Sequence, residues 1–290
     1  MLKWKEKNCI QWPSAMTNNS DSKNLFLSQL RKKVFNDQEG IPTFFDNFLH
    51  GYISNCDKEH ELNELRDILF RTKANRFISY FERISSIKTV HKFLEQSPES
   101  YLLSQGMGTC MQWKGMPLFK TLYDFAIYSM MVQEVMPKTI LEFGSGSGTS
   151  AIWLADLMVS SGIEGCVYSI DINKIDLQHD RVKFIKADCQ NIDENFLNEY
   201  LASLPHPWLV IDDVHVNTLS LLLHVDRYLT ENDYLIIEDS VIPTKNQSIS
   251  KFVADTKNTY MLDCYYLDFF GINATSAKDA IFKKTSKEGE

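Results

Sequence analysis

The sequence predicts an α/β domain, a mostly parallel Rossmann-like sheet with helices on both faces, preceded by a helical region. Three observations carry this. From Lys138 onward, short apolar runs alternate with helix-length stretches. A glycine-rich turn, "FGSGSGTS", joins the first such run to the first helix. Four later runs carry acidic residues at or next to their ends: "CVYSID", "FIKADC", "WLVIDD" and "DYLIIED". Strands and helices alternating at this spacing make βαβ units, whose crossovers are right-handed.

Residues 1–20 are polar and irregular and read as an arm. From Ser22 to about His91 the pattern is helical. Leu25, Leu27, Leu30 and Val34 give one segment, and Leu62, Leu65, Ile68 and Leu69 a second. Phe77, Tyr80, Phe81 and Ile84 give a third. "SPES" and "GMGTC" close this region, so residues 1–105 are expected as a helical cap or oligomer interface and 106–290 as the sheet domain. Within the latter, "KTILEF" is a strand and Ser147–Ser160 a helix. "GCVYSID" and "RVKFIKA" are strands, and Asn191–Ser203 is a helix stopped by Pro205 and Pro207. "WLVIDD" and "DYLIIED" are strands followed by helices at Asn217–Leu229 and Gln247–Lys257. "YMLDCYYLD" and "DAIFKK" pair as a closing antiparallel hairpin.

The net charge of -8 is uneven. Residues 1–100 hold 15 Lys+Arg against 13 Asp+Glu, and residues 101–290 hold 15 against 25. No basic stripe is present to replace the counterions of a phosphate backbone, so a nucleic-acid partner is not expected. The six cysteines contain no Cys-x-x-Cys pair and read as reduced thiols. No secretory leader or membrane-length apolar run is visible, and a cytoplasmic protein is expected.

A strand that ends in glycines and enters a helix aims backbone N–H groups at a ligand. Dinucleotide folds place G-x-G-x-x-G there. Here Gly144, Gly146 and Gly148 give G-x-G-x-G, with Ser145 between the first two and Thr149 where the third dinucleotide glycine belongs. Glu142 would repel a diphosphate and would attract an ammonium group. "LEFGSGSGTS" resembles the first motif of class I S-adenosylmethionine (SAM) methyltransferases. The resemblance implies that the loop packs against the methionine part of SAM, with Glu142 near its charged end. Asp171 would accept from the ribose hydroxyls, and Asp188 would hold the adenine amino group.

Ligand crevices in doubly wound sheets lie outside the carboxyl ends of the strands. If "WLVIDD" and "DYLIIED" are neighbours, their acids converge there. Clustered carboxylates repel unless they are protonated or joined by a cation, and Mg²⁺ favours such oxygen ligands. Asp212, Glu238 and Asp239 are therefore expected as Mg²⁺ ligands. His215 suits a general base. Asp212, His215 and "IIEDS", with the lead-in "MQWKGMPLFKTLYDF", resemble the methyltransferases of cephamycin methoxylation and the related macrolide-sugar O-methyltransferases. That resemblance spans roughly Met111 to Val241. It implies Mg²⁺-dependent O-methylation of a hydroxyl on a secondary metabolite, with His215 and Asp212 in the catalytic set. Asp213 is set aside because the matched acid-x-x-His spacing runs from Asp212.

Gly106–Lys120, with Gln112, Trp113, Met116 and Pro117, is expected as a flap over SAM. "YYLDFFG" reads first as core and second as acceptor lining. Two rival functions remain open at the level of sequence: a metal-independent N- or C-methyltransferase, and a SAM-binding partner subunit without its own catalysis.

Overall fold

The computed structural model describes Ser28 and residues 76–86, 97–191, 198 and 200–286. The chain divides into two compact units, Met1–Phe70 and Arg71–Glu290, and the second contains the sheet. The leucine-rich segments at 25–34 and 62–69 lie outside the described residues, Ser28 apart.

In chain order the described elements are β1 (Phe77–Ile78), α1 (Tyr80–Ser86), α2 (Pro98–Leu103), β2 (Met111–Trp113), β3 (Met116–Leu118) and α3 (Leu122–Val135). They continue with β4 (Thr139–Phe143), α4 (Thr149–Ser160), β5 (Cys166–Asp171), β6 (Val182–Lys186), β7 (Trp208–Asp212) and α5 (Thr218–Val225). The last are β8 (Tyr234–Ile237), α6 (Pro243–Asp255), β9 (Thr259–Asp263), α7 (Cys264–Leu267) and β10 (Ile281–Thr285). The main sheet runs β1-β9-β10-β8-β7-β4-β5-β6, and β2 and β3 form a separate hairpin. Strands β4 to β8 are mutually parallel. Strand β10 is inserted antiparallel between β8 and β9.

The apolar runs explain this order. Every residue of β4, β7 and β8 is buried, as central strands covered on both faces require. Between the sheet and α3, Trp153 is fully buried, stacked on Phe125 at 5.1 Å and meeting the edge of Tyr128 at 5.8 Å. No helix among the described residues is long and apolar enough to cross a membrane.

Four expectations change. Cys264–Leu267, read as part of the strand "YMLDCYYLD", forms helix α7. Phe77, read as helical, lies in β1 and pairs with Asp263 on β9. The free edge of β9 offers ladder partners that local periodicity cannot reveal. Helix α6 begins at Pro243, four residues before the expected Gln247. Proline is well tolerated at a helix's first position, where its missing N–H would have no partner anyway. Helix α5 ends at Val225, short of Leu229.

The edge of the sheet is closed by a buried carboxylate. Asp263 accepts from Arg76 Nε and Nη2 at 2.8 and 2.7 Å, from Tyr234 Oη at 2.9 Å and from the Tyr265 N–H at 3.1 Å. Asp263→Ala would leave four donors, on three residues, without their acceptor. Arg76 keeps Glu134, which bonds Nη1 at 2.5 Å, so the loss should sit near the lower end for a broken buried pair, about 3 kcal/mol. Urea unfolding should show this as a lower midpoint at unchanged slope; a loss below about 1 kcal/mol would contradict the role given to Asp263.

Candidate functional site

The glycine loop leaves β4 at the carboxyl edge of the sheet. Gly144, Gly146 and Gly148 have φ of 97°, 53° and 81°, a region that side chains resist. At Gly144 space forbids a side chain as well: a Cβ would lie 2.6 Å from the Asp213 carbonyl oxygen. At Gly148, the N-cap of α4, a Cβ would lie 2.7 Å from Ile175 Cγ2. The loop is thus wedged against the end of β7 on one side and the β5–β6 connection on the other.

Glu142 faces the interior beneath this loop and is fully buried. Ser169 Oγ donates to its Oε2 at 2.6 Å, and the Ser145 and Ser169 hydroxyls are hydrogen-bonded to each other. Glu142 Oε1 is buried with no partner of ordinary geometry. Burial raises the Glu142 carboxyl above its usual range, against the opposing pull of Lys120 and the serine hydroxyls. At the end of β5, Asp171 accepts from the Gly146 N–H at 3.0 Å and the Asn173 N–H at 2.8 Å. Beyond β6, Asp188 accepts from the Gln190 N–H at 2.9 Å and Asn191 Nδ2 at 3.1 Å. The expected loop residues therefore stand on three successive strand ends.

Strands β7 and β8 are neighbours, and the Glu238 N–H donates to the Asp212 carbonyl at 2.9 Å. Two lysines enter between their acids. Lys120 Nζ donates to both Glu238 oxygens at 2.6 Å and to Asp213 Oδ2 at 3.0 Å. Tyr128 Oη donates to Glu238 Oε1 at 2.5 Å. Lys245 Nζ donates to the carbonyls of Glu238 at 2.8 Å and Asp212 at 3.2 Å, and stands 3.6 Å from Asp212 Oδ1. Burial pushes the Glu238 carboxyl up to about 8, with Lys120 opposing and Asp213 adding. Burial likewise pushes Asp212 up to about 6, against Lys245 and the Val214 N–H. Asp212 Oδ2 is buried without a partner. If all four acids ionise, the two lysines leave two negative charges uncompensated.

The acids divide by direction. Asp212 and Glu238 are buried, whereas Asp213 and Asp239 reach toward solvent. Successive side chains on an extended chain face opposite ways, and Asp239 has turned to a φ of 51°. Single ligand atoms of Asp213, His215 and Asp239 all lie within 4.8 Å of one another. His215 Nε2 is 3.8 Å from Asp239 Oδ2 and its side chain is mostly exposed. Of the expected metal set only Asp239 belongs to this group; Asp213, set aside in the sequence, does belong.

The β2–β3 hairpin is pinned to α4, because Asp156 accepts from Trp113 Nε1 at 2.7 Å and Lys114 Nζ at 2.8 Å. Gln112 is exposed between Met111 and Trp113. In "YYLDFFG", Tyr266 and Leu267 are core, while Tyr265, Phe269 and Phe270 are exposed.

The family model for rhamnosyl O-methyltransferase/CmcI matches residues 105–257, more than half of the chain. The chain belongs to that family. A curated relative, the rhamnosyl O-methyltransferase of Mycobacterium leprae (strain TN), is 29% identical over 140 residues, covering 44% of this chain. The match spans only 59% of that relative's length. An apo structure of CmcI aligns at 26% identity over 62% of this chain and 78% of its own, with a TM-score of 0.53. A CmcI structure described with Mg and SAM aligns at 27% identity over 61% and 77%, also at 0.53.

Sequence reasoning missed the two lysines, Tyr128 and Ser169. Lys120 lies inside "MQWKGMPLFKTLYDF", where the family resemblance is visible, but nothing local ties it to an acid 118 positions later. Lys245 lies in the first turn of α6, ahead of the helix start expected at Gln247.

The spacing between loop and β7 gives a test. Gly144→Ala should cost about 1–3 kcal/mol, from a positive φ and a contact with immovable backbone. Gly146→Ala, where a Cβ meets open space, should cost less. Equal losses in chemical denaturation would refute the close approach of Gly144 to Asp213.

Proposed function

We propose that this chain is a SAM- and Mg²⁺-dependent O-methyltransferase acting on a hydroxyl of a small molecule of the secondary-metabolite class. One observation carries the reading. Two buried carboxylate oxygens on the neighbouring strands β4 and β7, Glu142 Oε1 and Asp212 Oδ2, accept no hydrogen bond of ordinary geometry, and they lie beside a glycine loop. A buried acceptor without a donor costs roughly 1–3 kcal/mol, so such atoms await a cationic or N–H ligand. Glu142 fits the ammonium of a methionine moiety. The acids at the ends of β7 and β8, two charges in excess of their lysines when all four are ionised, fit a divalent cation. Family membership and the CmcI structure with Mg and SAM support the same assignment.

In this reading Asp171 and Asp188 orient the ribose and adenine of SAM, and the backbone of Gly144, Ser145, Gly146 and Gly148 packs against its methionine part. Gln112 approaches it from the hairpin. Asp212, Glu238 and Asp239 hold the cation. When bound, SAM would supply the methyl group and Mg²⁺ would lower the pKa of an acceptor hydroxyl. His215, exposed at the crevice mouth, takes the proton from that hydroxyl. The loop and strand ends hold the reacting groups in line and exclude water. A second ligand set, Asp213, His215 and Asp239, is favoured by their convergence within 4.8 Å. In that set His215 ligates and does not act as a base.

Calorimetry should show SAM binding and no comparable NAD binding. Asp171→Ala should weaken SAM by about 1.5–3 kcal/mol, the worth of hydrogen bonds to a charged group. Tight NAD binding without SAM binding would overturn the cofactor assignment.

Methyl transfer should be lost in EDTA and return with Mg²⁺; full activity in EDTA would remove the cation from the mechanism. Asp212→Asn should lower Mg²⁺ affinity more than Asp213→Asn does. His215→Ala should lower kcat by roughly 10²–10⁴-fold at unchanged Mg²⁺ affinity. A parallel loss of Mg²⁺ affinity in the His215 and Asp213 variants would select the second ligand set.

A further inference from the structure

Lys120 connects the hairpin to α3, immediately before the N-cap Thr121. Its side chain is 3% exposed. A buried ammonium is costly unless it is paired, so its position needs a reason. Its partners supply one. It bridges the end of β8 to the end of β7 through Glu238 and Asp213, and Tyr128 closes over the same Glu238 oxygen. Lys245 plays a different part, because its hydrogen bonds go to main-chain carbonyls and it stands farther from the nearest carboxylate. Lys120 alone hydrogen-bonds side-chain carboxylates of both strand ends among the described residues.

We propose that Lys120 is the built-in counter-ion of the acidic strand ends. Its ammonium holds Glu238 and Asp213 in place when no divalent cation is bound, and cation uptake works against its charge. Lys120 is thus a positioning residue that sets metal affinity from behind the ligands. This rests on the metal reading above. A lysine serving only as a strut predicts the opposite sign: its removal would loosen the acids and weaken the metal.

The test is calorimetric titration of the full chain with Mg²⁺ at pH 8.5. Lys120→Met should bind Mg²⁺ at least tenfold more tightly than the wild type, and Lys120→Arg, which keeps the charge, within about threefold of it. Equal or weaker binding by a folded Lys120→Met overturns the proposal. Absence of Mg²⁺ uptake by the wild type overturns the metal reading itself, a distinguishable failure. Should Lys120→Met not fold, Lys120→Gln removes the same charge and is judged by the same sign. Thermal unfolding in EDTA gives a second readout. Lys120→Met should lower Tm, and adding Asp213→Asn should recover at least half of the loss. No recovery overturns the proposal.

Discussion

Crowded negative charge at one edge of the sheet is the constraint on which the rest of the structure depends. A parallel sheet sends the carboxyl ends of its strands to a single edge, and in this chain β4, β5, β7 and β8 all bring acids there. Each lone acid would be tolerable in water. Glu142, Asp212 and Glu238 are buried, where charge is poorly screened and desolvation opposes ionisation. The structure answers with serine hydroxyls below Glu142, Lys245 behind Asp212, and Lys120 with Tyr128 around Glu238. The answer is incomplete, because Glu142 Oε1 and Asp212 Oδ2 stay buried without a hydrogen bond of ordinary geometry.

The loop and the acids are mechanically one unit. The Gly144 N–H donates to the Ile170 carbonyl at 2.8 Å, and the Asp213 N–H donates to Phe143 at 2.8 Å. Gly144 lacks a side chain because the Asp213 carbonyl occupies that space. A shift of the loop therefore moves the peptide that carries Asp213, and with it the partner of Lys120. The cofactor half and the metal half of the proposed site share a backbone contact, with no side chain between them to absorb the motion.

Much of this was legible in the sequence, and what was not has physical causes. Central parallel strands are continuous apolar runs, so β4, β5, β7 and β8 announce themselves, and G-x-G-x-G marks the turn. Helix α3 drew no prediction, because its buried face begins with Asp124 while Leu122, Phe125 and Met130 put apolar residues off that face, which blurs the period. Lys120 was silent since a lysine in a polar lead-in looks solvated until a distant strand end arrives beside it. Asp212 and Asp213 were weighed by spacing alone. Which of two adjacent acids faces the crevice depends on where the strand pleat stops, and at Asp239 a left-handed residue resets that direction.

The rear of the site is held more firmly than its mouth. Asp124 accepts from Thr275 Oγ1 at 2.7 Å and the Ser276 N–H at 3.0 Å, tying α3 to the loop before β10. Arg83 forks onto Asp268 with two contacts of 2.8 Å and reaches Asp279 at 2.8 Å, fixing the other end of that loop. These pairs are buried, where screening by salt is weak. On the opposite side His215 is largely exposed, Asp239 is half-buried, and the two approach only to 3.8 Å. A rigid wall behind the acids and an open face beside the histidine give the crevice a direction. In the proposed reading, the groups assigned to the cofactor are carried by the sheet, and His215, assigned to the acceptor, stands on the open face.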